Sequence, residues 1–350
     1  MGINYYRRTH KYYCGVDLHS TSLYLCILGQ DGAILLHRSL PCDPNRFLLA
    51  IAPFREDLVV GVECVYSWYW LADLCEKEGI AFVLGHALYM RSIHGAKAKS
   101  DKIDSEKIAV LLRGGLFPVA YAYPAEMRAT RDLMRRRLHF VRQRGALLAH
   151  IQITHHQYNV AAPGKRITYR SNREGLGDAF ADSSVRQTIA ADLALADHYE
   201  VVVGELELAV LRQARLHDPH ALALLISIPG IGRVLALTIL YEIHDIARFP
   251  TVGDFASYSR LVKCQHSSNG KNLGTGGAKI GNAYLKWAFS EAAVLFVAKS
   301  EHGRTVLARL ERKHGKAKAL SLLAHKIGRT VYFMLARKRA FDPQRFAAAA

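Results

Sequence analysis

The sequence predicts an α/β domain at residues 10–124, a helical middle at residues 125–218 and a mainly α-helical domain at residues 219–340. Short apolar segments separated by turn residues fill the α/β region, whereas long apolar patterns of helical period fill the middle region. The chain has 350 residues, which favours more than one domain, and 50% of them are hydrophobic, which is enough for separate cores.

The first region reads as a mixed sheet with helices. Three short strands joined by tight turns come first, and helices then alternate with strands, an order that resembles the ribonuclease-H topology. Residues 58–63 are continuously apolar up to the final glutamate, which is typical of a strand buried on both faces. The predicted elements are strands at 13–17, 23–28, 33–38, 58–63 and 81–84, and helices at 67–78 and 100–113.

The middle region contains two long helical patterns. In residues 125–158 apolar side chains recur every seven residues, and a second pattern covers residues 185–215. We expect these helices to pair as an antiparallel coiled coil or to form a dimer contact, with residues 161–182 as the loop between them. A cluster of six arginines, which we treat as unmatched by acids, predicts a nucleic-acid contact rather than a solvated helix face: Arg131, Arg135, Arg136, Arg137, Arg142 and Arg144.

Charge and composition narrow the classes of partner. Lys and Arg number 47 against 30 acidic residues, and the resulting charge of +17 favours binding to a polyanion. The longest apolar stretch, residues 221–243, is interrupted by Pro229, Gly230 and Arg233, so we expect no membrane span and no membrane partner. The N-terminus lacks the apolar core of a secretory signal, and the six cysteines form no zinc-like spacing. We therefore expect a cytoplasmic protein with reduced thiols.

Four acidic residues suggest a metal centre. Asp17 and Glu63 end two predicted strands, and Asp101 and Asp104 stand three apart at a helix start, hence on one helical face. Each helix acid alone would also fit the favourable end of the helix dipole. Two hard cations held by carboxylate oxygens can activate an attacking group and stabilise a leaving oxygen, so the combination predicts Mg²⁺ or Mn²⁺ as cofactor.

Two glycine-rich segments of the C-terminal region are further candidates. Residues 228–232 fit equally well a helix-hairpin-helix turn beside a phosphate and a tight turn between core helices. Residues 264–282 form the least regular stretch, and we expect a long functional loop there. Ser268 lies near its first glycine, and Lys271 and Lys279 are candidate phosphate contacts.

Several blocks of the sequence resemble one family. The blocks are GVDLHSTSLYLCIL, GVECVYSWYWLADLCEKEGI, AKSDKIDSEKIAVLL, IPGIGRVLALTILYEI, FASYSRLV, HSSNGK and AKIGNAYLKWA. They resemble the insertion-sequence transposases of the insertion sequence one-hundred-ten family, which join a DEDD, RuvC-like domain to a C-terminal serine transposase domain. The resemblance covers most of the chain and is weakest in the helical middle.

The resemblance implies a DNA recombinase whose four acids are Asp17, Glu63, Asp101 and Asp104. It implies cleavage by a serine that becomes linked to DNA, a structured guide RNA encoded by the element, and a homo-oligomer, either a dimer or a dimer of dimers. The family has serine directly followed by glycine, whereas an asparagine intervenes here. We assign Ser268 as the nucleophile and keep Ser267 as the alternative.

Other classes remain open. A junction nuclease would use the four carboxylates to hydrolyse DNA with water, and the serine segment would then only bind. An actin-like ATPase shares the opening strands, but it should carry further glycine-rich phosphate loops, and we find none before residue 270. A non-catalytic DNA-binding descendant would not need intact carboxylates and serine.

Overall fold

A computed structural model of the chain describes residues 3–93, 100–276 and 280–348. The chain divides into two units, Met1–Ala125 and Glu126–Ala350. Each unit has its own apolar core. Within the described residues, no helix combines the length and the apolar character needed to cross a membrane.

A five-stranded sheet forms the centre of the first unit. The strands of this unit are β1 (Tyr5–Tyr6), β2 (Tyr12–Leu18), β3 (Ser22–Gly29), β4 (Ile34–Pro41), β5 (Leu58–Glu63), β6 (Ala81–Gly85) and β7 (Phe117–Pro118). The sheet has the order β4-β3-β2-β5-β6; its first three strands are antiparallel, and β5 and β6 run parallel to β2. β1 and β7 form a separate pair. The predicted mixed α/β domain is confirmed.

Helices cover both faces of this sheet. They are α1 (Pro44–Ile51), α2 (Tyr69–Lys77), α3 (Ala87–Ile93) and α4 (Asp101–Arg113). Val60 of β5 belongs to the cluster that contains Phe47 of α1 and Leu71 of α2, whereas Val59 belongs to the cluster that contains Ile108 of α4. Successive residues of a strand face opposite sides, so β5 is apolar on both. This burial explains its continuous apolar run.

Helix α1 was not predicted from the sequence. This helix has only eight residues, so it is too short to show a repeated helical period. Its start is nevertheless marked, because Pro44 occupies the first turn and an Asp43 carboxylate oxygen accepts from the Arg46 backbone N–H at 2.8 Å. Phe47 and Ile51, four residues apart, are fully buried under the sheet. The cap was therefore the available signal.

Two long antiparallel helices begin the second unit. They are α5 (Ala125–Gln157) and α6 (Ser183–His217), which confirms both predicted helices. Arg144 pairs with Glu200 and His150 with Asp192, so numbers rise along one helix as they fall along the other. Their coiled-coil packing stays a prediction.

The rest of the second unit is mainly helical, as predicted. Its core includes Phe289 and Phe296, both fully buried, together with Leu323 and Ile327. The helices are α7 (Pro219–Ile226), α8 (Arg233–Ile243), α9 (Val252–Tyr258), α10 (Ala283–Lys299), α11 (Glu301–His314), α12 (Lys316–Arg337) and α13 (Pro343–Ala348).

The irregular loop predicted at residues 264–282 is wrong for most of its length, because a β-hairpin forms there. Strands β8 (Cys264–Ser268) and β9 (Lys271–Gly276) pair antiparallel. Asn269 and Gly270 form the two-residue turn with φ of 49° and 72°, and type I′ turns require positive φ at both positions. Asn-Gly was the sequence signal for this hairpin. The glycines of β9 concealed the strand, since glycine is depleted in strands.

Candidate functional site

Asp17 and Glu63 each follow the last paired residue of two neighbouring strands, β2 and β5. The parallel register of β2 and β5 pairs Gly15 with Gly61, and each acid comes two residues after its glycine. Residues two apart in a strand share a face, so both acids lie on the glycine face. The two carboxylates therefore mark the same edge and the same side of the sheet.

Helix α4 approaches this face closely at Gly15. A Cβ atom there would lie 2.2 Å from the carbonyl oxygen of Ser105 and 2.4 Å from the backbone nitrogen of Ala109. Only glycine leaves room for the helix backbone at this distance. The approach brings the first turn of α4, which carries Asp101 and Asp104, to the strand ends.

The first turn of α4 is held by its cap. The Ser100 hydroxyl accepts a hydrogen bond from the Ile103 backbone N–H at 3.3 Å. Asp101 and Asp104 follow in the turn where a helix favours negative charge. An Asp104 carboxylate oxygen lies 3.2 Å from the Lys107 ammonium nitrogen, so the positive charge beside this carboxylate is that of a lysine.

Asp17 and Asp101 come together with a third residue, His19. The Nε2 atom of His19 lies 3.5 Å from Asp17 Oδ2 and 3.3 Å from Asp101 Oδ1. One donor atom from each residue lies within 4.8 Å of the others. In the described part of the chain this is the group that meets this criterion, and it does not include Glu63 or Asp104. Their participation stays a prediction.

The donor set suits a divalent cation. Carboxylate oxygens are ligands for Mg²⁺ and Mn²⁺, and imidazole nitrogen is a ligand for transition metals such as Mn²⁺. The Asp17 side chain is 20% exposed and that of Asp101 57%, so an ion could reach them from solvent. His19 was not predicted from the sequence, where the predicted ligands were all acidic residues. The available signal was the spacing of two from Asp17 at a strand end.

Two of the six arginines on α5 surround a buried carboxylate. Glu242 of α8 is 3% exposed; its carboxylate accepts from Arg135 Nε at 2.6 Å and pairs with Arg131 at 3.1 Å. The Asn282 side-chain amide donates to the same carboxylate at 2.7 Å. Burial alone would raise the pKa of Glu242, but the Arg135 hydrogen bond and both arginine charges outweigh burial, so its pKa lies below the ordinary value. We call Glu242, Arg131, Arg135 and Asn282 the Glu242 network.

Two more arginines pair across to α6. Arg137 pairs with Glu207, and Arg144 lies 3.6 Å from Glu200. Our assumption that the cluster is unmatched by acids was therefore wrong for four of its six members. The acids come from helices distant in sequence, which a local charge pattern does not reveal.

Arg136 and Arg142 are the exposed members of the cluster. The guanidinium of Arg136 lies 4.6 Å from the centroid of the Phe140 ring, which is within the range of a cation–π contact. A nucleic-acid contact stays a prediction for the six arginines. Arg136 and Arg142 are the best candidates among them, because their side chains are exposed.

The chain that follows the hairpin is anchored to the core. Asn282 donates its backbone N–H to the Tyr258 carbonyl at 2.6 Å and caps α10 through its side-chain oxygen. Gly281 has φ of 89°, and a Cβ atom on it would lie 2.5 Å from the Tyr258 carbonyl oxygen. Asn282 thus bonds to Tyr258 of α9, caps α10 and donates to Glu242 of α8. This one residue, which follows the hairpin in sequence, therefore joins three helices.

Ser268 is exposed and ends β8, directly before the turn. It pairs with Lys271, which is also exposed, at the last position of the hairpin ladder. The backbone of Ser267 pairs with Asn272, whereas its side chain lies outside the described atoms. Lys279 lies outside the described residues.

The turn at residues 228–232 joins α7 to α8. Gly230 has φ of 91°, and a Cβ atom on it would lie 2.5 Å from the backbone nitrogen of Phe296 in α10. This contact favours the tight turn between core helices over the phosphate-binding turn. Gly232 caps α8 with its backbone and has open space around it.

Comparison with known proteins gives two family matches. Residues 14–159 match the DEDD transposase family of IS110, and residues 222–308 match the transposase family IS116/IS110/IS902. The transposase for insertion sequence element IS1111A of Coxiella burnetii is 22% identical over 337 residues, covering 93% of this chain and 90% of its own length. A probable family 20 transposase of Pseudomonas aeruginosa is 24% identical over 309 residues, covering 82% of this chain and 86% of its own.

The mixed sheet with its carboxylates and the two matches together define the class of protein, a transposase with a DEDD domain. The matches cover about two thirds of the chain. The chain belongs to the IS116/IS110/IS902 family of insertion-sequence transposases.

Proposed function

We propose that this transposase cleaves and rejoins DNA through Ser268, assisted by a Mg²⁺- or Mn²⁺-binding carboxylate centre. The observation that carries the proposal is the convergence of Asp17 and Asp101 at the ends of the sheet, within reach of one cation. Glu63 and Asp104 complete the proposed ligand set, since they occupy the same strand edge and the same helix turn.

In this proposal the protein positions the reacting groups. When bound, the cation would stabilise the deprotonated form of an attacking hydroxyl and the charge on the phosphate. Asp17 and Glu63 hold their ligand atoms on the rigid central strands, and Asp101 and Asp104 offer theirs from a capped helix. Rigid elements keep such geometry better than loops do.

Ser268 supplies the nucleophile. Its Oγ forms a bond to phosphorus while the bond from phosphorus to a deoxyribose oxygen breaks; a base takes the serine proton, and the released sugar oxygen gains one. The exposed position beside a tight turn supports this role, because a DNA backbone can reach the residue. Lys271, its partner across the turn, can offset phosphate charge. The phosphoserine link keeps the bond energy needed for rejoining.

Trapping the covalent product tests this chemistry. Full-length protein is incubated with DNA of the element ends and Mg²⁺, and adducts are mapped by mass spectrometry after nuclease digestion. We expect a nucleotide remnant on Ser268, and we expect Ser268→Ala to abolish the adduct and recombination while retaining DNA binding. Ser268→Cys could keep weak activity, because a thiolate also attacks phosphorus.

Two controls separate the rival mechanisms. Asp17→Asn should remove cleavage but not DNA binding, since it changes a metal ligand and not the binding surface. Ser267→Ala should have a milder effect than Ser268→Ala. A remnant on Ser267 would move the nucleophile by one residue. Asp17-dependent cutting with no adduct on either serine would refute the serine mechanism and favour a nuclease that uses water.

We further propose that a structured RNA encoded by the element guides the protein, which acts as a homo-oligomer. The charge of +17 favours binding to nucleic acid and suits RNA as well as DNA. Nucleic acid that co-purifies with the protein should be sensitive to ribonuclease and should map by sequencing to the element. Purification with DNA alone, or recombination that survives ribonuclease treatment, would contradict the guide RNA.

A further inference from the structure

His19 is held in a fixed position beside the carboxylates. It directly follows β2, and its backbone N–H donates to the Ser22 carbonyl at 2.9 Å across the tight turn into β3. The imidazole thus leaves the sheet from a short, hydrogen-bonded turn. Its Nε2 atom faces one oxygen of Asp17 and one of Asp101.

Two of the distances among these three atoms resemble those between ligands around one metal ion. Ligand atoms at about 2.1 Å from an octahedral ion stand roughly 3 Å apart when adjacent and about 4 Å apart when opposite. Here the Nε2 atom lies 3.5 Å from the Asp17 oxygen and 3.3 Å from the Asp101 oxygen. Both values lie within about 0.5 Å of the spacing of adjacent ligands, and one ligand atom from each of the three residues lies within 4.8 Å of the others.

We propose that His19 is a ligand of the carboxylate centre, which makes this a mixed oxygen and nitrogen site that selects Mn²⁺ over Mg²⁺. The inference rests on the metal centre of the proposed function and adds one residue to it. Mg²⁺ takes oxygen ligands almost exclusively, whereas an imidazole nitrogen strengthens binding of first-row transition metals. Without His19, the donors that remain are carboxylates.

Metal titration tests the selectivity. Mn²⁺ and Mg²⁺ are titrated separately by calorimetry into the full-length protein and into His19→Ala. We expect Mn²⁺ affinity to fall about tenfold or more, since even weaker perturbations of a metal site cost about that much. Mg²⁺ affinity should change less than about threefold. The matched control is His150→Ala, which removes a similarly exposed imidazole of α5 from its ion pair with Asp192 of α6.

Pulsed electron paramagnetic resonance of bound Mn²⁺ gives a second measurement, made on protein that keeps His19. Protein grown with ¹⁵N-histidine should show a nitrogen coupling that differs from that of ¹⁴N protein. Asp17→Asn should remove this Mn²⁺ signal.

The outcomes separate the inference from the proposed function. Mn²⁺ that binds through Asp17 without nitrogen coupling, and with equal affinity in His19→Ala, would show that His19 is only an ion-pair partner of the two carboxylates. That result would overturn the inference and leave the metal centre in place. Absence of Mn²⁺ and Mg²⁺ binding in the wild type, or binding unchanged in Asp17→Asn, would overturn both.

Discussion

Replacing Glu242 with glutamine removes the one negative charge of the Glu242 network while keeping its shape. Two guanidiniums and an amide face this carboxylate, which is only 3% exposed. Removing one partner of a buried ion pair costs about 3–5 kcal/mol, because the remaining charge stays in a poorly solvated position. In a unit of this size each kcal/mol shifts the melting temperature by about 2–4 °C, so Glu242→Gln should lower it by roughly 6–20 °C.

Glu207→Gln is the matched control. Glu207 also pairs with an arginine of α5, but its side chain is 36% exposed. The Arg137 side chain is 11% exposed, so the contrast between the two pairs lies in the carboxylate. Solvent around the Glu207 carboxylate screens its pair, which should contribute about 1 kcal/mol and shift melting by a few degrees at most. Thermal unfolding followed by circular dichroism at pH 7 measures both variants. Equal, small shifts in the two proteins would refute the argument that burial gives the Glu242 network its weight.

The pH dependence follows from the pKa of Glu242. Burial alone would raise this pKa, but the Arg135 hydrogen bond and the charges of Arg131 and Arg135 lower it below its ordinary value of 4.5. A carboxyl whose pKa is lower in the folded state stabilises the protein above the unfolded pKa, and this contribution is lost as the pH falls through the folded pKa. The difference in melting temperature between wild type and Glu242→Gln should thus be constant from pH 7 to about 5 and shrink below about pH 4.5.

Two further predictions concern packing and charge. Gly15→Ala should destabilise the first unit by about 1–3 kcal/mol and weaken Mn²⁺ binding, because the added Cβ would lie 2.2 Å from a backbone atom of α4. The control is Gly145→Ala in α5, where the space around the glycine is open. This substitution should stabilise the protein by about 0.5–1 kcal/mol. Chemical denaturation and calorimetry measure these effects, and normal stability of Gly15→Ala would refute the close approach. Arg136→Ala with Arg142→Ala should reduce the salt dependence of nucleic-acid binding by about one per lost phosphate contact. An unchanged slope would assign this helix face to another role.

The sequence predicted the central strands well because their local pattern and their final environment agree. Residues 58–63 are apolar throughout and are buried on both faces, so the prediction of β5 matches it from end to end. The β8–β9 hairpin was not predicted because glycines are unfavourable in strands. The feature that determines this hairpin is its two-residue turn, which begins at Asn269. Local pattern therefore predicts elements whose burial is uniform, and it misses elements that a single turn determines.

The candidate site was predicted only as far as strand ends and helix starts reveal it. Asp17 and Asp101 were predicted and do come together, because a strand end and a helix first turn are visible in sequence. The ion pair between Arg135 and Glu242 was not predicted, because 107 residues separate the two in sequence. Pairings across such distances depend on how helices pack, and packing is decided by the whole core.

The repeat Gly-Val-acid on two neighbouring strands explains why the site forms where it does. In Gly15-Val16-Asp17 and Gly61-Val62-Glu63 the glycines pair in register, so each strand offers a bare surface followed by a carboxylate on the same face. The backbone of α4 approaches the sheet closely over Gly15, and the first turn of α4 then lies beside the acids. The valines face the opposite side, where both are fully buried in the core with α1 and α2. Because each acid follows its glycine by two residues, the packing of α4 and the position of the carboxylates depend on each other. A substitution that moves α4 should therefore also move the carboxylate centre.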